Sequence, residues 1–187
     1  PTENFVGNPS SAHRLGGRAD AALAGARESL GGILGCAPLD LVFTSGATEG
    51  ANSIFHHLAR AHSRGEAWIS AIEHPASMAA AEFHFSGRLR QIPVNGQGEV
   101  EPGWVEERLR KNRPVVIAVM SANNETGVLQ PWREMLDLAR RHDVPFFCDA
   151  TQTAGKLPSE GVGECDYVTG SAHKFGGTRG VGFMKCA

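Results

Sequence analysis

Of the four lysines in this 187-residue chain, Lys111, Lys156, Lys174 and Lys185, only Lys174 sits in a setting suited to covalent chemistry. It follows the small-residue run Gly170-Ser171-Ala172-His173 and precedes Gly176, Gly177 and Gly180, which let backbone pack closely. The apolar segment Tyr167-Val168-Thr169 leads in, and Val181-Gly182-Phe183-Met184 leads out. A lysine held between two buried strands is expected to be poorly solvated, which favours the neutral amine that forms Schiff bases. A surface lysine in a glycine loop would read the same from these residues alone. A second site 25 positions upstream separates the two readings. The run Val144-Pro145-Phe146-Phe147-Cys148 ends in Asp149, followed by Ala150-Thr151-Gln152. A carboxylate at the mouth of one buried strand and a lysine at the mouth of another suit a pyridine-ring cofactor. The acid would keep the ring nitrogen protonated, and the amine would hold the aldehyde carbon.

Stepping outward along the chain, the elements that must position these groups alternate. Short apolar strands are expected at 40–44, 67–72, 89–94, 114–120, 144–149, 166–170 and 181–186. Helices are expected at 18–34, 48–63, 76–86, 102–111 and 131–142, from apolar spacing of three and four. Gly35 is placed to end the first helix, and residues 7–16 read as a turn-rich entry. Residues 114–120 are apolar on both faces, as in a central parallel strand. The pattern predicts an α/β fold, a doubly wound, mostly parallel seven-stranded sheet with helices on both faces. Ligands then bind at the carboxyl ends of the strands. Thr48, His74, Asn124, Asp149 and Lys174 all fall just after predicted strands. The turn Ser45-Gly46-Ala47-Thr48 before a helix can seat an anion on free backbone N–H groups, although a Ser/Thr helix cap leaves the same signature. The glycines of 176–182 lead into a strand rather than a helix, which excludes a dinucleotide fingerprint.

Ser-Ala-His-Lys with its glycines, Asp-Ala-Thr-Gln, Asn-Asn-Glu-Thr-Gly, Ser-Gly-Ala-Thr-Glu and Glu-His-Pro-Ala occur together in one chain. In this combination the sequence resembles aminotransferase class V, the pyridoxal-phosphate (PLP) enzymes of fold type I, and within it the cysteine desulfurases of nitrogenase-associated and housekeeping type. The resemblance implies pyridoxal 5'-phosphate as cofactor. It implies Lys174 as Schiff-base lysine and general base, and His74 stacked on the ring and moving protons. Asp149 would face the ring nitrogen and Gln152 the ring hydroxyl. Asn124 would face that hydroxyl and the substrate carboxylate. Ala47, Thr48, Ser171 and His173 would hold the phosphate. L-cysteine is the implied substrate, a homodimer the implied assembly, and an iron–sulfur scaffold or another sulfur acceptor the implied partner. Two other readings stay open: a class V aminotransferase or lyase acting on another amino acid, and a non-catalytic remnant that binds a partner.

Composition fits that frame. Apolar residues make up 41% and charged residues 20%, values of a globular chain long enough to bury a core. A net charge of -2 gives no reason to invoke nucleic acid or an anionic membrane. No apolar run is long enough for a membrane-spanning helix, and no signal peptide is visible. Cys36, Cys148, Cys165 and Cys186 lack metal-ligand spacing and read as reduced cysteines of a cytoplasmic protein. The first residue is Pro1 rather than Met. Residues 1–187 are therefore expected to be one PLP-binding large domain of a longer chain, without the family's C-terminal small domain. That domain carries the family's sulfur-accepting loop cysteine, so the 187 residues alone are not expected to release sulfur from cysteine.

Overall fold

A computed structural model describes residues 7–159 and 161–186. The first helix, α1 (Arg14–Leu34), starts four residues before the periodicity predicts. His13 is the reason: its ring Nδ1 accepts from the Gly16 N–H at 3.0 Å and caps the helix in place of a hydroxyl. Gly35 ends it as expected, in the left-handed region at φ 76° with its N–H on the Gly31 carbonyl. The apolar stripe of α1 is only partly covered. Leu34 is buried, whereas Leu23 and Ile33 remain exposed.

Strand β1 (Leu41–Thr44) feeds α2 (Ala47–Ala61), and β2 (Ala67–Ser70) feeds α3 (Pro75–His84). Then come β3 (Leu89–Ile92), α4 (Pro102–Leu109), β4 (Val116–Ala118), α5 (Trp132–Arg141), β5 (Phe146–Asp149), β6 (Tyr167–Ser171) and β7 (Gly182–Cys186). Among the described residues all seven strands form one sheet, ordered β1-β7-β6-β5-β4-β2-β3. The pairs from β3 through β6 are parallel. Strand β7 runs antiparallel to both β6 and β1. The expected mostly parallel α/β sheet is present, with one reversed strand near an edge.

Side-chain alternation splits the core into two layers. Trp68, Ile117, Phe146, Cys148 and Val168 pack with Val105 of α4, with Met135 and Leu136 of α5, and with Leu34. Ala67, Ile69, Val116, Ala118 and Phe147 pack with Ile54, Phe55 and Leu58 of α2 and with Ala80 and Ala81 of α3. The rings of Phe55 and Phe147 meet edge-on at 5.4 Å. Parity puts Asp149 on the same face as Phe147, toward α2 and α3, and Cys148 on the other. Helix α2 lies close against β6 and β7 because Gly50 has no side chain. A Cβ there would meet Thr169 at 2.8 Å.

Candidate active site

The carboxyl ends of the parallel strands open into a cleft of about 180 Å³ beneath the starts of α2 and α3. All nine residues expected at the site line it: Ala47, Thr48, His74, Asn124, Asp149, Gln152, Ser171, His173 and Lys174. They arrive from five separate strand ends, so only the folded sheet brings them together.

Each is held differently. Asp149 is 5% exposed, and its Oδ1 accepts from the Thr151 N–H at 2.9 Å. Its own carbonyl is pinned by the Ser121 N–H at 3.0 Å and the Ser121 hydroxyl at 3.1 Å. Burial pushes the Asp149 carboxyl above its usual range, while hydrogen bonding from Thr151 and the field of His74 pull the other way. Among the described residues no ion pair includes Asp149. Ser171 is buried at the end of β6, and its Oγ accepts from the Ala47 N–H at 2.9 Å, fastening the start of α2 to the sheet. No side chain caps α2 at Gly46. Backbones crowd there: a Cβ on Gly182 would lie 2.5 Å from the Gly46 Cα. This glycine-lined helix start leaves N–H groups for an anion, with Thr48 at the mouth.

His74 caps α3, its Nδ1 accepting from the Ala76 N–H at 3.1 Å. In the neutral ring that bond assigns the proton to Nε2. Asn124 is exposed at the rim, on a loop shaped by its buried neighbour Asn123. Asn123 Oδ1 accepts from the N–H groups of Glu125 and Thr126, and its Nδ2 donates to the Ile72 carbonyl at 2.9 Å. Gln152 is half-buried, with its Oε1 accepting from Lys156 at 3.0 Å.

Lys174 corrects one expectation. It is exposed, on the 3-10 turn Ala172–Lys174 that follows β6, and is not enclosed between β6 and β7. The chain leaves the sheet at Ser171, so Lys174 stands at the cleft rim in contact with solvent. The desolvation argument for a neutral amine therefore does not hold in this structure. The sequence reading also passed over Glu73, Thr151, Met120 and Ala122. Met120, Ala122 and Thr151 line the cleft and Glu73 lies directly behind it. For Glu73 a signal existed: a charged residue directly after the mostly apolar run 67–72 and one position before His74.

A mostly parallel α/β sheet with a buried carboxyl group, a glycine-headed helix start and a lysine converging at its carboxyl edge defines a ligand-binding class of folds. Comparison narrows it: the chain belongs to the aminotransferase class V family, whose model matches residues 2–186. It is 38% identical over 187 residues to a cysteine desulfurase of Enterobacter agglomerans, covering 97% of this chain and 46% of the relative. It is 37% identical to the cysteine desulfurase IscS of Dictyoglomus turgidum, covering 95% and 46%. Among solved structures, a NifS-like protein superposes with a TM-score of 0.91 at 32% identity, covering 99% of this chain and 52% of the other. A structure described as SspA in complex with cysteine gives 0.89 at 32% identity, covering 97% and 54%. The chain thus spans about half the length of the relatives it matches. Among the described residues no helix is long and apolar enough to cross a membrane, and no cluster of metal-ligating side chains occurs.

Proposed function

We propose that this chain is the cofactor-binding part of a PLP-dependent cysteine desulfurase acting on L-cysteine. The observation that carries the reading is the convergence of Thr48, His74, Asn124, Asp149 and Lys174, each from a different strand end, on one cleft. The kinship with cysteine desulfurases supports the substrate. We further read residues 1–187 as one large domain of a longer, cytoplasmic, homodimeric enzyme. It would pass sulfur to an iron–sulfur scaffold or a thio-cofactor acceptor.

The residues present fit pyridoxal phosphate. Asp149 is a buried acid without a cationic partner among the described residues, and a protonated ring nitrogen supplies the countercharge that burial withholds. The α2 start at Gly46-Ala47-Thr48, where Gly46 offers no capping side chain and Ser171 holds only the Ala47 N–H, suits a phosphate alongside His173. Gln152 and Asn124 reach the cleft as amides for a ring hydroxyl and a substrate carboxylate. When bound, the cofactor supplies an electron sink for chemistry at the α-carbon of an amino acid. Lys174 Nζ would hold its aldehyde carbon and, once released, take a proton from that α-carbon. His74 is braced through Nδ1 to α3, so its Nε2 is the atom that can hold or give a proton over the cleft. Paired with a protonated ring nitrogen, Asp149 would carry the countercharge and fix the ring orientation, helped by Ser121, which holds its backbone.

The test is spectroscopic. Adding pyridoxal 5'-phosphate to the chain is expected to give a visible absorption band that L-cysteine perturbs more than alanine or serine does. In an extended chain, cysteine with a reductant is expected to yield sulfide. The 187-residue chain is expected to yield none, because Cys148 faces the opposite layer from Asp149 and Cys165 is fully buried. A band that responds equally to all amino acids favours a class V aminotransferase or lyase. No band at all overturns the assignment.

A further inference from the structure

Glu73 is a buried carboxyl to which none of the roles above is given. It is 7% exposed, at the turn between β2 and α3, immediately before His74. Its Oε1 accepts from the Met120 N–H at 2.5 Å. Its Oε2 is buried and has no hydrogen-bond partner among the described residues. No ion pair among the described residues includes it. The titratable groups around it offer no cation in contact. Asp149 at the end of β5 is near enough to oppose its ionisation, and the Cys148 thiol lies within electrostatic range on the other sheet face. His74 adjoins it on its own loop, and Glu125 of the loop after β4 is exposed to solvent. An ionised carboxylate there would have one backbone donor, no counter-ion and an anionic neighbour, an arrangement that favours the protonated acid.

Its contacts also have mechanical content. Met120 lines the cleft on the segment leading to Asn124, and Glu73 is joined directly to His74. The Glu73–Met120 bond therefore ties the His74 loop to the Asn124 loop. The Asn123–Ile72 bond makes a second tie alongside it.

We propose that Glu73 is a positioning residue working as an uncharged carboxylic acid. It clamps the loop that presents His74 to Met120 and leaves Asp149 the sole negative charge beneath the cleft. The use of that charge rests on the proposed function, whereas the clamp and the protonation do not. Burial, reinforced by Asp149 and opposed by the Met120 hydrogen bond, pushes the Glu73 carboxyl up to about 8 from an ordinary 4.5. The unfolded chain then loses this proton first. The stabilisation is complete below about 4.5 and disappears as pH rises through about 8.

The experiment is carbon NMR of the chain labelled at glutamate and aspartate carboxyls, without and with pyridoxal 5'-phosphate, alongside Glu73→Gln and Glu73→Leu. One glutamate carboxyl is expected to titrate with a midpoint near 8, and to be missing in Glu73→Gln. Asp149 should keep its midpoint in Glu73→Gln, because an uncharged acid has been replaced by an uncharged amide. The Gln variant retains the acceptor, so the His74 ring resonances should stay in place; in Glu73→Leu they should move. Urea stability of Glu73→Gln should fall less than that of the parent chain between pH 4.5 and 8. A Glu73 midpoint at its ordinary 4.5 would overturn the proposal, as would a clear drop in the Asp149 midpoint once Glu73 is replaced. Should Glu73→Gln fail to fold, the titration of the parent chain alone decides. If pyridoxal phosphate does not bind, the functional assignment fails while the titration still tests Glu73.

Discussion

The two ends of the sheet each carry a cavity, and the larger one is the poorer candidate for chemistry. At the amino ends of the strands a space of about 620 Å³ is bordered by His62, Arg64, Arg113 and Asp143. At the carboxyl ends the cleft measures about 180 Å³. The polar residues bordering the larger space are exposed, and the hydrogen bonds there close loops through backbone carbonyls. Arg88 donates to the His62 carbonyl at 2.9 Å and the Gly65 carbonyl at 2.6 Å, and Arg113 donates to the Asp143 carbonyl. The smaller cleft is floored by a buried acid that no arginine or lysine neutralises among the described residues. Volume marks where chains fail to meet; a buried acid without a cationic partner marks where a ligand can arrive.

The contrast can be broken most decisively at Lys174. Lys174→Ala is expected to abolish the covalent adduct with pyridoxal phosphate that borohydride traps in the parent chain, while some phosphate-dependent binding at α2 persists. Peptide mapping that found the adduct on Lys156 or Lys111 instead would move the reactive centre away from the strand ends.

Asp149→Asn is next. In an extended, active chain, loss of the countercharge is expected to cost about 3 kcal/mol in the barrier, on the order of a hundredfold in rate. In the chain without cofactor the sign reverses. Burial raises the carboxyl's proton affinity, so folding is opposed as pH rises above the ordinary aspartate range, and Asn removes that opposition. Urea unfolding at pH 7 should show the Asn variant more stable by about 1 kcal/mol. A variant that keeps full activity would show that Asp149 is only a structural acid.

The smallest effect belongs to the other end. Arg88→Ala removes two hydrogen bonds and the stacking of its guanidinium 4.8 Å over Phe85. It should lower stability by about 1–2 kcal/mol and leave pyridoxal phosphate affinity within about twofold, measured by titration. A large loss of affinity would mean that the two ends are coupled through the sheet.

Much of this contrast was legible before any coordinates. Short apolar runs such as 114–120 have few ways to fold except as central strands, and the rule that ligands gather at strand ends brought Thr48, His74, Asn124, Asp149 and Lys174 to one edge. What stayed hidden depends on tertiary geometry. The start of α1 was missed because an imidazole, not a hydroxyl, caps it. The reversal of β7 leaves no trace in Gly182–Cys186, since strand direction is set by partners rather than by composition. The end of β6 was located to within one residue, but the exposure of Lys174 was not. It depends on the turn Ala172–Lys174 carrying the side chain away from the sheet rather than on any strand boundary. Glu73 is marked in sequence by its position after the apolar run that precedes His74, but nothing in its neighbours shows that its Oε2 will find no donor.

The reversed strand has a consequence in time. Leu41 pairs across to Lys185 and Thr44 to Gly182, so one of the first strands of the described chain closes against the last. Gly182 also abuts Gly46, at the helix start where the proposed phosphate site lies. Loop closure over such a span is entropically costly and slow compared with the local β–α–β steps between β2 and β5. During synthesis the middle of the sheet can assemble early, but the wall formed by Ala47, Thr48 and Ser171 must wait for β7. Among the described residues the cleft is therefore one of the last features to form, and the proposed phosphate site is complete only once β7 has docked.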